Sequence, residues 1–390
     1  MDRTSRQLRR YDPRAATRST GESSELLRPP IDPDVALLGI GNSAEEVTLR
    51  CQALAAMDDF TLIAAGLNND RLAPRPITVR RADGAVLPLQ LSERLVIDGD
   101  NPRDLMRDYP LLEQRYARLL RGVPVFETYP RAGAGGHGLP AISALDIDLH
   151  IESVLALLRR LLRRLRDEPP AAIGQSRIQS IVAQTQHDRA PREKRILVIG
   201  GGCGAMGNAG HHLIPYLIRT VLAEQGIDDY QLWGVVLGPR TFSGLTPFVR
   251  HNFRALMEAL EYMSRHGQRR AYINDLRIDM RQPPYDYVFL FDDPSLPGEG
   301  PKVTEAEMEV FLDRAALSLS LLIRGSVWQT VASHIANEDG VAREDGRLRY
   351  LSTMHGVVVG ADRAQLASLL TAGLEMRVLD RLIQRFDGSD

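Results

Sequence analysis

The chain has 390 residues, with 48 lysines and arginines against 50 aspartates and glutamates and a formal net charge of −2 at pH 7. This length supports a large hydrophobic core. The near-neutral charge excludes a global basic field that would recruit nucleic acid.

Neither a membrane span nor a secretory signal is evident in the sequence. No apolar run approaches the roughly 18 residues that a bilayer requires, and the arginines near the N-terminus precede no apolar core. The two cysteines, Cys51 and Cys203, lie in patterns typical of a helix and of a glycine loop. We therefore expect no disulfide and a cytoplasmic protein.

Residues 1–34 are rich in Arg, Ser, Thr and Pro and have no apolar periodicity. Such composition is typical of a disordered or extended arm. We favour a solvated tail, and the arginines leave open that the arm binds an unidentified protein partner.

The first folded elements are a strand, a glycine turn and a helix. Val35–Leu38 has the pattern of a buried strand, Gly39-Ile40-Gly41-Asn42-Ser43 is the turn, and Glu45 and Glu46 lie in the first turn of the helix. The next strand, Phe60–Ala65, leads into Asn68-Asn69-Asp70. Polar residues at this end of a strand are where open α/β sheets place ligand contacts, and an ordinary Asn/Asp turn has the same composition.

A hairpin with Asp83-Gly84 at its turn is predicted next. A charged helix, Pro110–Leu120, precedes a third glycine loop, Arg131–Gly138, which we expect to open a helix over Asp148–Leu165. Prolines and polar runs indicate a linker over residues 166–194.

The central stretch, Arg195–Leu222, repeats the pattern in its fullest form. Ile196–Ile199 predicts a buried strand, Gly200–Gly207 a glycine-rich turn, and the apolar spacing that follows predicts a helix. This geometry offers backbone N–H groups and a positive helix end to a phosphate. No lysine follows the glycines, which excludes a P-loop.

The same glycines, Gly202, Gly204 and Gly207, satisfy the dinucleotide pattern GxGxxG, with Asp228 and Asp229 about 20 residues further on. His211 and His212 follow in the predicted helix. Because adjacent histidines face different sides of a helix, we interpret them as polar residues of the helix surface and not as metal ligands.

The remaining elements continue the alternation of strands and helices. They are predicted at Gln231–Leu237 (strand), Pro247–Met263 (helix), Tyr287–Phe291 (strand ending in Asp292-Asp293), Thr304–Ile323 (helix with a Thr304/Glu307 capping box), Arg349–Val359 (strand) and Ala364–Phe386 (helix). Such alternation predicts an α/β fold, a Rossmann-like parallel sheet with helices on both faces. The glycine and Asn/Asp loops then converge at one edge of the sheet and predict a nucleotide or phosphate site.

The order of these motifs resembles tubulin and FtsZ, and within that superfamily most closely the large bacterial tubulin-like protein group. The first glycine loop, the Asn68-Asn69-Asp70 loop and Gly133-Ala134-Gly135 correspond to its first three loops, and Gly200–Met206 corresponds to the signature GGGTGSG. The sequence VVLGPRTFSG resembles the Pro-x-x-Phe-x-Gly turn of FtsZ.

The resemblance implies a tubulin/FtsZ-type fold, GTP or GDP as ligand, Mg²⁺ carried by the nucleotide and not by a protein metal site, and head-to-tail self-assembly into filaments. The nucleotide-binding residues it implies are Gly39, Gly41, Asn42, Asn68, Asp70, Gly133, Ala134, Gly135, Gly201, Gly202, Cys203, Gly204, Ala205, Phe242, Arg250, Asn252 and Asp293. Residues 35–323 then form the nucleotide-binding domain. We expect residues 324–390 to be a reduced segment packed on it, in place of the second domain of the family.

The sequence also departs from the family. Cys203, Ala205 and Met206 replace the Thr, Ser and last Gly of the signature, so hydroxyl donors are lost. Catalytic acidic residues follow the long helix in this superfamily, and here the candidates are Glu338 and Asp339. We therefore expect nucleotide binding with weak or absent GTP hydrolysis. A pseudo-GTPase scaffold that has lost the nucleotide and an NAD(P)-dependent oxidoreductase stay open as alternatives.

Overall fold

The computed structural model describes residues 35–57, 62–80, 86–91, 93–128, 133, 135–167, 194–242, 248–292, 303–324 and 351–353. All of them belong to one compact unit, Pro30–Gly356. The predictions for residues 1–34 and for the helix Ala364–Phe386 lie outside the described residues, as does most of the predicted linker.

The unit is built on a parallel sheet of seven strands. In chain order these are β1 (Val35–Ile40), β2 (Ile63–Asn68), β5 (Glu93–Val96), β6 (Lys194–Gly201), β7 (Tyr230–Leu237), β10 (Tyr287–Phe291) and β11 (Leu351–Thr353). Their order across the sheet is β11-β10-β7-β6-β1-β2-β5, and every neighbouring pair is parallel.

The strand order reverses between β1 and β6. From β1 the chain first adds strands on one side, β2 and β5, and then returns to add β6, β7 and β10 on the other. This is the doubly wound order, and such sheets bind ligands at the reversal point, outside the carboxyl ends of the strands.

Two antiparallel hairpins accompany the sheet. The predicted hairpin is confirmed as β3 (Ile77–Arg80) paired with β4 (Val86–Leu89), and its Asp83-Gly84 turn lies outside the described residues. A second hairpin, β8 (Gln268–Ala271) with β9 (Arg277–Met280), was not predicted from the sequence.

The described helices are α1 (Asn42–Met57), α2 (Pro102–Asp108), α3 (Pro110–Leu120), α4 (Pro124–Glu127), α5 (Pro140–Leu149), α6 (Ile151–Asp167), α7 (Ala205–Gln225), α8 (Val249–His266) and α9 (Glu305–Arg324). The third glycine loop leads into α5, which begins at Pro140, so the prediction that it leads into a helix beginning at Asp148 was wrong. The capping box of α9 is confirmed, because the Thr304 hydroxyl accepts from the Glu307 amide and the Glu307 carboxylate accepts from the Thr304 amide.

Helices cover both faces of the sheet. On one face, α6 and α7 pack their apolar sides against alternate residues of β1, β2 and β6, such as Leu38, Ala65 and Val198. On the other face α1 lies against β1, β2 and β6, and α9 packs on α1. The prediction of a parallel sheet between two helical layers is therefore confirmed.

A buried arginine fastens α9 to α1. The Arg50 side chain is only 2 % exposed and forms ion pairs with Glu46 of its own helix and with Glu309 and Asp313 of α9. The Nε atom of Arg50 lies 2.8 Å from Oδ1 of Asp313. A charge that is buried without partners is strongly destabilising. The two helices are therefore held in the register that keeps Glu309 and Asp313 next to Arg50.

The described helices include none that is both long enough and apolar enough to traverse a bilayer.

His211 lies inside the protein and fastens α7 to the sheet. Its ring is fully buried, Nδ1 lies 2.7 Å from the Tyr285 hydroxyl, and Nε2 lies 3.3 Å from the carbonyl oxygen of Gly200. Burial lowers the pKa of His211 to about 4, so the ring is neutral at pH 7, and Nε2 donates to Gly200 while Nδ1 accepts from Tyr285. The prediction of a surface position for His211 was wrong.

We predict that His211 makes the folded state sensitive to acid. Its pKa lies below the value of about 6.5 that an unfolded chain would give it, so the unfolded state binds the proton first. Stability is therefore complete above about pH 6.5 and is lost as the pH falls towards 4, by up to roughly 1.4 kcal/mol per pH unit.

Urea unfolding at pH 7, 5 and 4 measures this effect. His211→Gln is expected to have a shallower loss of unfolding free energy over this range, and the exposed His266→Gln is expected to keep the wild-type slope. An unchanged slope in His211→Gln would contradict the assignment.

Candidate functional site

A cleft of about 350 Å³ opens at the carboxyl end of the sheet, at the reversal point between β1 and β6. Its volume lies within the range of ligand sites, roughly 300–1,000 Å³. The residues that line it are Ile40, Gly41, Asn42, Ser43, Ala44, Asn68, Asn69, Asp70, Gly135, Gly136, His137, Gly138, Gly201, Gly204, Ala205, Met206, Gly207 and Phe242. The wall is therefore made from the loops that follow β1, β2 and β6, together with the third glycine loop.

The turn after β1 forms one side of the cleft. Gly41 has φ +83°, which favours glycine. Its amide donates to the carbonyl of Leu67 at 2.9 Å, and its own carbonyl accepts from the amide of Glu45 at 2.9 Å. The turn is thus fixed both to β2 and to the start of α1.

A hydrogen-bonded chain of side chains supports this turn from below. Buried Glu45 accepts from Nε of Arg94 and from Nδ2 of Asn68, both at 2.9 Å. Asn68 also donates to Asn42, and Asn42 donates to Asp70 at 3.0 Å. Burial raises the pKa of Glu45, and the contact with Arg94 opposes that rise. This hydrogen-bonded chain orients Asn42 and Asp70, two of the polar side chains that line the cleft.

Asn69 connects the loop after β2 to the third glycine loop. Its side-chain amide donates to Oγ of Ser143 at 3.0 Å and to Asp146 at 2.7 Å, both in α5. Its backbone carbonyl accepts from the amide of Gly135 at 2.7 Å. A single buried residue therefore holds three segments of the site together.

The N-terminus of α7 forms another wall of the cleft. Gly204 is the N-cap residue and provides no side-chain cap to the first amides of the helix. The helix reaches the end of β6 because residue 207 has no Cβ, since a Cβ there would lie 2.4 Å from the nitrogen of Gly201. The positive end of a 21-residue helix thus faces the cleft.

Two asparagines hold the loops around this helix end. The amide of Asn252, in α8, donates to the carbonyls of Gly138 at 2.7 Å and of Cys203 at 3.0 Å. The amide of Asn208, in α7, donates to the carbonyls of Gly202 at 2.9 Å and of Asn252 at 2.8 Å. Asn252 was predicted as a nucleotide-binding residue, and both donor contacts of its side chain go to backbone carbonyls.

Cys203 and Phe242 lie near the turn that follows β7. Burial, and after it the negative charge of Asp292, raises the pKa of the Cys203 thiol, which keeps it protonated. Phe242 is 9 % exposed and lies against Gly201 at the cleft. Phe242 therefore contributes an aromatic side chain to the wall of the cleft. Cys203, which stays a neutral thiol, is not a thiolate nucleophile.

The structure brings together nine of the predicted site residues at the cleft: Gly41, Asn42, Asn68, Asp70, Gly135, Gly201, Gly204, Ala205 and Phe242. Six others do not line it: Gly39, Gly133, Gly202, Cys203, Arg250 and Asn252. Ala134, Asp293, Glu338 and Asp339 lie outside the described residues.

The six residues away from the wall have other positions. Gly39 lies beneath α1 against Thr48, Gly133 lies against Asp98, and Gly202 lies against Phe253 and Val236. Cys203 and Asn252 are joined as described above, and Arg250 is exposed near the start of α8.

Sequence reasoning did not assign the other half of the wall. These residues are Ile40, Ser43, Ala44, Asn69, Gly136, His137, Gly138, Met206 and Gly207. Each is next to a predicted residue or belongs to the same loop. These residues could have been found by extending each predicted loop beyond its motif, most clearly at Gly136-His137-Gly138.

The described lining residues include one acidic side chain, Asp70, and one that can become cationic, His137, with no lysine or arginine. Within the part of the chain that the structure describes, no cluster of three or more His, Cys, Asp or Glu is arranged to hold a metal ion. An anion in this cleft would therefore meet mainly backbone N–H groups and the end of α7.

No protein-family model matches the chain, and no curated protein matches it. Solved structures similar to it are tubulin-like. They include CetZ2 from Haloferax volcanii as a GTPγS-bound protofilament (14 % identity, 75 % of this chain, 58 % of that chain, TM-score 0.37) and CetZ1 from Haloferax volcanii as a GDP-bound monomer (10 %, 74 %, 60 %, 0.38). TubZ of Clostridium botulinum phage c-st is another (8 %, 76 %, 62 %, 0.38).

The chain spans about three-fifths of the length of these structures, and the similarity concerns the fold alone. The sheet order and the glycine loops at its reversal point define a doubly wound, Rossmann-like α/β fold with a cleft where such sheets bind ligands. The parallel sheet with helices on both faces agrees with the Rossmann-like fold that the sequence predicted, and the likeness to tubulin and FtsZ stays a prediction from the order of the motifs.

We predict that Asn252 holds the site together. Asn252→Ala removes the donor to two carbonyls in separate loops and is expected to lower the unfolding free energy by about 1–3 kcal/mol. Urea unfolding followed by circular dichroism measures the change. Arg254→Ala, which removes an exposed ion pair on the same helix, is the control and should stay within about 0.5 kcal/mol of wild type. Equal effects of the two substitutions would contradict the role of Asn252.

Proposed function

We propose that the cleft binds a guanine nucleotide through its phosphates and that the chain self-assembles head to tail, with weak or absent GTP hydrolysis. One observation carries the proposal: glycine loops and the N-terminus of α7 converge at the reversal point of the sheet. Backbone N–H groups and the positive end of a helix attract phosphate without lysine or arginine.

The preference for guanine follows from the order of the loops, which resembles the tubulin and FtsZ superfamily. Phe242 provides an aromatic side chain at the cleft for the base or sugar. Mg²⁺ would enter with the nucleotide, and Asn42 and Asp70 offer the oxygen atoms that this cation prefers.

The position of the GxGxxG pattern argues against an NAD(P)-dependent oxidoreductase. The dinucleotide fingerprint belongs to the turn after the first strand of the doubly wound sheet. Here Gly202, Gly204 and Gly207 follow β6, which is the fourth strand of the sheet along the chain.

A pseudo-GTPase scaffold is the second candidate, because two substituted signature residues line the cleft. Ala205 has no hydroxyl to donate, and Met206 carries a bulky side chain beside Gly41. The Met206 side chain is also packed into the hydrophobic core and only 5 % exposed. This packing leaves the cleft open in front of the helix end and favours retained binding.

We predict that a negative charge at the N-cap of α7 weakens nucleotide binding. A Cβ at Gly204 meets no atom within 4 Å, and its φ of −80° suits any residue, so a side chain fits without strain. Gly204→Asp and Gly204→Asn have nearly the same shape and both cap helices well. The carboxylate, however, repels phosphate and is expected to weaken binding by about tenfold or more relative to the Asn variant.

Isothermal titration with GTP, GDP and ATP in magnesium compares wild type with the two variants. Binding of GTP and GDP, but not ATP, by the wild type and the Asn variant supports the proposal. Equal affinity of the Asp and Asn variants would contradict phosphate binding at this helix end. No binding of any nucleotide by the wild type would favour the pseudo-GTPase scaffold.

We also predict nucleotide-dependent assembly. Heterologous contacts between identical subunits produce open filaments. Sedimentation of wild type with GTP is expected to give large species that are absent with Gly204→Asp, while phosphate release stays near background. Monomers under every nucleotide condition would argue against self-assembly.

A further inference from the structure

The third glycine loop places a histidine at the cleft. His137 lies between Gly136 and Gly138, and its side chain is exposed. It lines the cleft, and the described lining includes no other basic side chain. Its φ is +49°, a left-handed conformation that Asp275 alone shares among the described non-glycine residues. Residues held in this conformation are concentrated at ligand clamps and switch regions.

Backbone hydrogen bonds hold the loop on both sides of His137. The amide of Gly135 donates to Asn69 at 2.7 Å, and the amide of Leu139 donates to the carbonyl of Gly136 at 2.8 Å. The carbonyl of Gly138 accepts from Asn252 at 2.7 Å. The imidazole therefore extends from a loop whose position is fixed by β2 and α8.

The charges of the side chains at the cleft indicate what His137 can bind. The one acidic side chain among the described lining residues is Asp70, and Cys203 and Ala205 provide no hydroxyl donors. A nucleotide brings several negative charges, and a protonated imidazole is the one cationic side chain that the described wall can present. A charge-assisted hydrogen bond to phosphate is stronger than a neutral one.

We propose that protonated His137 binds the phosphates of the nucleotide, so that nucleotide affinity rises as the pH falls from 8 to 6. This inference rests on the proposed nucleotide binding. Histidine is the side chain that ordinarily gains a proton in this range.

Other titratable or charged side chains lie on the elements and loops next to this loop. They include Asp70, Asp98, Asp146, Cys203, Arg250 and His251. Asp70 accepts from Asn42, Asp98 from Arg71, and Asp146 from Asn69. Burial keeps Cys203 a neutral thiol. Exposed His251, near the start of α8, does not line the cleft, which makes it the matched control.

Titration calorimetry with GTP and GDP at pH 6 and pH 8 tests the inference on wild type, His137→Asn and His251→Asn. Asparagine tolerates the left-handed conformation and stays neutral, so the loop is retained. The terminal phosphate itself gains a proton near pH 6 in every titration, so only differences between proteins count. The ratio of affinities at pH 6 and pH 8 is expected to be about tenfold larger for wild type and His251→Asn than for His137→Asn.

Two different results would overturn the inference. If nucleotide binds and His137→Asn has the wild-type ratio of affinities, the role of His137 fails and the proposed function stands. If wild type binds neither nucleotide at either pH, the proposed function fails and the role of His137 fails with it.

Discussion

The close contact between α7 and the end of β6 is the constraint on which the cleft depends. Gly207 can lie on Gly201 only because it has no Cβ, and this contact brings the first amides of α7 to the reversal point of the sheet. His211 fastens the next turn of the helix to Gly200, and Asn208 fastens the loop between them at Gly202. The turn after β1 is hydrogen-bonded to β2, and the side chain of Asn252 connects the third glycine loop to the loop before this helix end.

The main elements of the fold could be predicted because buried parallel strands are short apolar runs that end in glycine or polar turns. Tyr287–Phe291 was predicted to the residue for this reason. Strand β5 and the β8–β9 hairpin were missed, because each of their strands has only four residues and at least half of ERLV, QRRA and RIDM is polar. The break between α5 and α6 at His150 was also missed, because the apolar spacing continues through it.

The candidate site was predictable where backbone conformation demands glycine and where polar residues end a strand. It was not predictable where a side chain acts on a distant segment. Asn252 binds carbonyls 114 and 49 residues away in the chain, and Glu45 supports the cleft through Asn68 and Arg94. Glu45 was predicted only as an acidic residue in the first turn of α1, and the structure shows that it is completely buried. Contacts of this kind become visible only when the segments are brought together.

A wall made of main-chain atoms also bears on how such a protein diverges. Half of the residues that line the cleft are glycines or belong to the end of α7, whose N–H groups are the same whatever side chains lie nearby. Residues such as Cys203 and Ala205 change the sequence of the motif and leave its backbone geometry in place. Lineages with this architecture can therefore lose recognisable sequence similarity over time while the shape of the binding surface persists.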